Sequence, residues 1–274
     1  MPKKAHSSTK SIFKHLYSSH KHRLLKELDQ QLQGRGDLAV IFTPNLEQLS
    51  LASSNKEFAQ YLGSADYLLP DGMGLVWGSR FLSHFGNFQK AQERISGREV
   101  VVEIITKIEN QPILIVGGKN YQDLANSKQL PNFQQPPVYQ LKLTQFPNQN
   151  QIYWTPGFES ASSISAQEDT DLLRVIKDLK PKVVFVALGA PAQELWTAKY
   201  RSDLEQAGVK IAMAVGGSFD VLLGKLQQPP SWMEQAGLEW LYRLMQEPWR
   251  WRRQLQLFVA MKLIIQLALQ DDLE

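Results

Sequence analysis

The chain has 274 residues, of which 43% are hydrophobic, enough for a sizeable core in one α/β domain with or without an appended helical segment. It contains no cysteine, which excludes disulfides, a thiolate nucleophile and cysteine-ligated clusters, and its five histidines argue against a histidine-rich metal site. The formal net charge of +3 is too small to define a partner, so its distribution carries more information, and the composition points to an intracellular protein.

Before the first acidic residue, Glu27, stand Lys3, Lys4, Lys10, Lys14, Lys21 and Arg23, with His6, His15, His20 and His22 among them. This stretch reads as a solvated or partly ordered extension in preference to a specific binding arm, with attraction to anionic phospholipid as the alternative, and it lacks the apolar run of a signal peptide. LAVIF at 38–42 predicts a short buried strand leading into a helix that begins near Asn45. YLLP at 67–70 runs into DGMG, and PILIVGG at 112–118 again joins strand-like residues to glycine. The tract at 126–151, rich in proline, asparagine and glutamine, reads as irregular connections around a short strand. KVVFVALG at 182–189 and KIAMAVGG at 210–217 repeat the strand-to-glycine pattern with a helical segment between them. The succession predicts βα units and a largely parallel sheet.

Gly237 to Met245 has the spacing of an amphipathic helix, and Pro248 predicts a break or restart after it. No run of roughly 18 uninterrupted apolar residues marks a bilayer span. The nearest candidate, Leu255 to Leu269, contains Gln256, Lys262 and Gln266, and suits a buried or interfacial helix.

Strand ends concentrate the candidate chemistry. Gly117, Gly118, Gly189, Gly216 and Gly217 permit tight turns and close ligand approach, while the helix starts beyond them offer backbone donors to an anion. Neither IVGGKN nor AVGGSFD has the spacing of a dinucleotide fingerprint, and no Walker A sequence occurs. Thr43 and Asn45 either cap a helix or direct a hydroxyl and an amide into a cleft. Asp71 is either a turn residue or an exposed general base. Arg94 and Arg98 can neutralise a phosphate or pair with Glu93 and Glu99. Gln193 and Glu194 open a helix, where Gln193 can orient a sugar or serve the helix terminus. Asp220 suits a ligand hydroxyl or a cap. Asp169 and Asp171 read as acidic residues at a helix start, so no metal site is expected.

TPNLEQL, LLPDGMGLVW, ERISGREVV, ILIVGGK, VALGAPAQELW, AVGGSFDVLLGK and GLEWLYRLMQEPWRWRRQL occur in order from about residue 38 to 255 and together resemble the bacterial WecG/TagA/CpsF-type glycosyltransferases, glycosyltransferase family 26. The resemblance implies a Rossmann-like core at 38–226, preceded by a basic extension and first helix at 1–37 and followed by a C-terminal helical, membrane-associated appendage at 227–274. It implies an inverting transfer from a UDP-sugar, such as UDP-N-acetylmannosamine, UDP-N-acetylmannosaminuronate or UDP-glucose. The acceptor implied is a polyprenyl-diphosphate-linked saccharide at the inner face of the cytoplasmic membrane, with no cofactor. By residue matching, Asp71 becomes the base, with Thr43, Asn45, Arg94 and Gln193 beside it in the active site. Substrate-binding positions within the matched motifs are Gly72, Gly97, Gly117, Gly118, Gly189, Pro191, Glu194, Gly216, Gly217, Phe219 and Asp220. Arg243, Arg250, Arg252 and Arg253 are expected to handle diphosphate. Glu99 stands where the family commonly has aspartate, and Gln227 and Gln228 fall where a lysine-arginine pattern is common.

Two other functions compete. The arginines around Trp249 and Trp251 suit stacking and phosphate pairing on a nucleic acid, and the apolar C-terminal segment suits a non-enzymatic membrane scaffold. Both leave the ordered TPN, PDG and GAPAQE motifs without a role, so no nucleic-acid partner is expected, whereas a homo-oligomer remains compatible with the sequence.

Overall fold

The computed structural model describes residues 3–34, 36–143, 146, 151–160 and 164–271. In chain order the elements begin with α1 (Lys3–His15), α2 (Lys21–Leu32), β1 (Ala39–Phe42), α3 (Leu46–Ser54), α4 (Lys56–Leu62), β2 (Tyr67–Leu68) and α5 (Met73–Leu82). The middle holds α6 (Gly97–Lys107), β3 (Pro112–Gly117), α7 (Tyr121–Leu124), β4 (Asn126–Gln134), β5 (Pro137–Lys142) and β6 (Gln151–Thr155). Next come α8 (Ala166–Leu179), β7 (Val183–Ala187), α9 (Ala192–Lys199), α10 (Arg201–Gln206), β8 (Ile211–Ala214) and α11 (Ser218–Leu222). The chain closes with α12 (Ser231–Gln235), α13 (Glu239–Gln246), a 3-10 turn at Pro248–Arg250, and α14 (Trp251–Asp271). The fold is α/β with a mostly parallel sheet, and it divides into two compact units. One comprises Met1–Arg23, Phe42–Gly97 and Gln227–Glu274; the other comprises Leu24–Ile41 and Arg98–Leu226.

The second unit carries the sheet strands in the order β1-β8-β7-β3-β6-β5-β4. Pairing is parallel from β1 through β6, with Val40 opposite Ala212, Val184 opposite Ala212, and Ile115 opposite both Phe185 and Trp154. Every residue of β7 and β8 is buried, as strands covered on both faces require, and this is why they read as continuous apolar runs without alternation. β6 and β7 flank β3 on opposite sides. The connection leaving β3 heads for β4 at one edge of the sheet and the one leaving β7 heads the other way, to β8, so the ends of the neighbouring strands β3 and β7 are the kind of place where an open α/β sheet leaves a crevice.

Residues 126–151 depart from the sequence reading. They contain two strands, β4 and β5, and the start of β6, and β5 runs antiparallel to both β4 and β6. β4 is mostly exposed, so its glutamines and asparagines face water and show no apolar period; the hairpin is held by backbone pairing, which composition does not report.

Asp169 also does more than complement a helix dipole. In the first turn of α8 it is buried, and its carboxylate accepts from Trp196 Nε1 at 3.0 Å, Lys199 Nζ at 3.0 Å and the Tyr200 hydroxyl, tying α8 to α9. Burial and this carboxylate together push the Tyr200 phenol up, and the bonds to Tyr200 and Asp169 raise Lys199.

The first unit is helical around its own core. α14 packs on α3 and α5, and α1 packs on α3, α4 and α14. Ile12, Phe13 and Leu16 are buried and Thr9 with them, so the later half of the basic N-terminal stretch is ordered and packed where the sequence reading left it solvated or partly ordered. Its apolar stripe is short enough to be masked by the surrounding lysines and histidines. The side chains of residues 3–8 lie outside those described. α14 buries one face of the 255–269 segment, as a core-packing helix would, and leaves the other exposed. Ala260, Leu263, Ile264, Leu267 and Ala268 are buried, whereas Leu255, Phe258, Met261, Ile265 and Leu269 are exposed. Among the described residues no helix is long and apolar enough to cross a membrane.

Candidate active site

In the helical unit, three short loops are laced together by their backbones. The Asp71 amide donates to Pro44 O at 3.2 Å and to Leu69 O at 2.9 Å, and Ile95 N donates to Pro70 O at 3.1 Å. The Asp71 carboxylate accepts from Gly97 N at 3.4 Å. A side chain at Gly97 would bring its Cβ to 3.0 Å from Thr43 Cγ2 and 3.2 Å from Thr43 Oγ1, so the bare α-carbon is what lets the Thr43 loop lie this close. Asn45 takes the capping role. Its Oδ1 accepts from Glu47 N at 2.9 Å and Gln48 N at 3.2 Å, while Gln48 Oε1 accepts from Asn45 N at 3.0 Å, a reciprocal capping box that aims α3. Gly72 is the N-terminal cap of α5.

These loops open on a cleft of about 180 Å³ lined by Asn45, Asp71, Gly72, Arg94, Glu239, Trp240 and Arg243. The structure thus gathers Asp71, Asn45, Arg94 and Arg243 around one space. The partner of Arg94 is neither Glu93 nor Glu99. Its guanidinium meets Glu239 Oε1 at 2.6 Å and reaches Glu234 O at 3.5 Å. Glu93 instead accepts from Lys21 N at 2.6 Å and lies 3.5 Å from His20. Arg243 meets Glu247 at 3.4 Å. Sequence reasoning missed Glu239 and Trp240 although both stand in the quoted GLEW motif, because an acidic residue there looks like an ordinary helix start. Arg250, Arg252 and Arg253 belong to the 3-10 turn and the first turn of α14; their side chains lie outside those described.

Gln227 ties the start of the expected appendage to α13. Its amide N–H donates to Gln246 Oε1 at 2.9 Å, its carbonyl accepts from Gln246 Nε2 at 3.1 Å, and its side-chain oxygen accepts from the Tyr242 hydroxyl at 3.3 Å.

In the sheet unit, the turns after β3, β6 and β7 surround a cavity of about 470 Å³ lined by Gly117, Gly118, Lys119, Tyr139, Trp154, Phe158, Glu159 and Leu188. Trp154 Nε1 donates to Gly117 O at 2.7 Å and Gly118 N to Ala187 O at 3.0 Å. Gly118 is at φ +78°, and a Cβ there would lie 2.3 Å from the Tyr121 ring. Tyr121 donates its hydroxyl to Asp220 Oδ1 at 3.2 Å, and Lys225 Nζ lies 3.6 Å from the same oxygen. Burial, reinforced by Asp220, pushes the Tyr121 phenol far up, so it stays a donor. Phe219 is buried against Phe185 and Tyr121, with ring centroids at 5.5 and 6.4 Å. Lys119, Tyr139 and Phe158 were not singled out from the sequence; Tyr139 lies in the tract read as irregular.

Gln193 and Glu194, both buried in the first turn of α9, engage the strand-end turns directly. Gln193 Oε1 accepts from Gly189 N at 3.2 Å and Gly216 N at 3.1 Å, and Gln193 Nε2 donates to Glu194 Oε1 at 2.8 Å. The Gly189 and Gly216 amides, in turns expected to allow close ligand approach, are thus satisfied inside the protein. Pro191 and Gly217 are the N-terminal caps of α9 and α11. Burial pushes the Glu194 carboxyl up to about 7 against the opposing bond from Gln193.

The sheet unit has ligand-sized space at its strand ends, and the helical unit has a cleft that sets a carboxylate beside two arginines. The chain belongs to the Glycosyl transferase WecG/TagA/CpsF family, which matches residues 14–272. It is similar to proteins named N-acetylglucosaminyldiphosphoundecaprenol N-acetyl-beta-D-mannosaminyltransferase. That of Bacillus subtilis (strain 168) is 32% identical over 80% of this chain and 76% of the relative. Those of Bacillus spizizenii (strain ATCC 23059 / NRRL B-14472 / W23) and Staphylococcus aureus (strain MW2) are 29% and 26% identical, over 80% and 78% of this chain and 76% and 73% of the relatives. These matches favour sugar transfer over nucleic-acid binding or scaffolding.

Proposed function

We propose that this chain transfers N-acetylmannosamine from UDP-N-acetylmannosamine to a polyprenyl-diphosphate-linked N-acetylglucosamine, in the synthesis of a cell-surface polysaccharide. The observation that carries the reading is the pairing of relatives named for this reaction with a cleft that holds a carboxylate, Asp71, beside two arginines, Arg94 and Arg243. Asp71 takes the proton of the acceptor hydroxyl as that oxygen forms its bond to the anomeric carbon. The bond from that carbon to the UDP phosphate oxygen breaks, the electron pair leaves with UDP, and the anomeric configuration inverts. In the sheet unit, the cavity walled by Tyr139, Trp154 and Phe158 has the aromatic surface and polar rim that suit a nucleoside, and Lys119 offers positive charge to its diphosphate. In the helical unit, the arginines of the cleft suit the acceptor diphosphate. The scheme needs no cofactor.

The acceptor lipid calls for contact with the inner face of the cytoplasmic membrane. Three features support it: Trp249 and Phe258 are each 71% exposed, Met245 is 69% exposed, and the same unit holds an apolar groove of about 440 Å³ lined by Trp77, Phe81, Trp240, Phe258 and Met261.

The test combines purified protein, a panel of UDP-sugars and a short-chain prenyl-diphosphate N-acetylglucosamine, with mass analysis of the lipid product and NMR of the new anomeric centre. A gain of one N-acetylhexosamine with inverted configuration is expected from UDP-N-acetylmannosamine. No product with any donor, from protein that is folded and binds nucleotide, would overturn the proposal.

A further inference from the structure

Gln193 has an amide whose two ends are chemically opposite, and its surroundings dictate which end faces which way. Gly189 and Gly216 each present a backbone N–H, so the atom toward them must be the oxygen. Glu194, with none of its surface exposed, accepts at 2.8 Å from the other end, which must be the NH₂ group. Reversing the amide would set two donors against the glycine amides and turn an oxygen toward a buried carboxyl oxygen. A single side-chain oxygen thereby joins the turn after β7 to the turn after β8. A further bond, from Thr197 Oγ1 to Gln193 O at 2.7 Å, seats the residue on its helix.

We propose that Glu194 is a positioning residue: its carboxyl fixes the orientation of the Gln193 amide, and the Gln193 oxygen then clasps the Gly189 and Gly216 turns into the shape required for sugar transfer. Glu194 touches no reacting atom in this scheme. It acts through Gln193, and a group confined to a buried backbone clasp has no need of the mobility or exposure that a general acid or base would require. The role in transfer rests on the reading of these strand-end turns as part of the donor site; the clasp itself does not.

The experiment reads the two levels separately. Amide hydrogen exchange by NMR reports the clasp, and steady-state transfer reports its consequence. In Glu194→Leu, of similar bulk but without an acceptor, exchange at Gly189 and Gly216 should quicken by about tenfold while Val184 and Ala212 in the sheet stay protected. kcat/KM for the donor should fall by about tenfold or more. Glu194→Gln keeps an oxygen for the Gln193 NH₂ group and should recover most of both. Should the leucine variant fail to fold, the exchange of donors and acceptors remains: Gln193→Glu alone sets two carboxyl groups face to face and should open the clasp, whereas Gln193→Glu combined with Glu194→Gln reverses the pair and should close it. Protected glycine amides in the leucine variant, or no rescue in the reversed pair, would overturn the orientation argument. An open clasp with unchanged transfer would overturn the positioning role. Absence of transfer by the wild-type chain would tell against the proposed reaction, and the exchange data would still decide whether Glu194 sets the clasp.

Discussion

β7 and α14 are both written in apolar residues, yet they meet opposite fates. In β7, VVFVA lies between β8 and β3 and is buried at every position. In α14, Ala260 is fully buried while Phe258, two residues earlier, is 71% exposed. A strand in the middle of a parallel sheet has no face left for water, whereas a helix packed along one side always does. An apolar run records the capacity to be buried, and the neighbours decide which half of that capacity is used inside the molecule.

The comparison predicts first that truncation in β7 is costly. Phe185→Ala should lower unfolding free energy by about 3–5 kcal/mol in urea titration, because the ring is wholly buried and leaves a cavity. A loss below about 1 kcal/mol would break the contrast. Next in size, Asp71→Asn should reduce transfer by about 10²–10⁴ with nucleotide binding kept, since it removes a proton acceptor and no packing. Turnover close to wild type would remove Asp71 from the base role. Glu239→Gln separates Arg94 from its partner and should cost about 1–2 kcal/mol, read by thermal melting, with the cleft otherwise intact.

Glu194 supplies a pH-dependent test. Its carboxyl is raised from an ordinary 4.5 to about 7 in the fold, so between those values the folded chain holds a proton that the unfolded chain has released. Stability linked to this group is therefore present below about pH 4.5 and lost as pH climbs toward 7. Glu194→Gln should lack that slope, gaining on the wild type between pH 4.5 and 7 in denaturant titrations at stepped pH. The smallest expected stability change is that of Phe258→Ser, within about 0.5 kcal/mol of wild type, because the ring has no core to leave. The same variant should bind vesicles of anionic phospholipid more weakly in a flotation assay, and unchanged flotation would detach the exposed face of α14 from membrane contact.

Much of the sheet was legible before any coordinates. LAVIF, PILIVGG, KVVFVALG and KIAMAVGG each became a strand within a residue or two of the expected bounds, since burial on both faces leaves continuous apolar runs followed by turn glycines. β4 and β5 were not legible, because an edge hairpin with exposed side chains depends on backbone partners that leave no apolar period. The packing of α1 was hidden for a related reason: buried Thr9, Ile12 and Phe13 among many basic residues do not alter the local composition.

For the site, the motifs identified which residues would matter more readily than what they do. The sequence alone determined that Asp71, Asn45, Gln193 and Glu194 stand at loop ends and helix starts, because glycine, proline and capping patterns act over a few neighbouring residues. It took the packed fold to show that Arg94 is held by Glu239, well over a hundred residues further along the chain. It alone decided that the oxygen of Gln193 goes to Gly216 across 23 residues of sequence. Hydrogen bonds and ion pairs of that kind are set by which strands and helices come to lie side by side. A chain read one residue after another has no local pattern that records it.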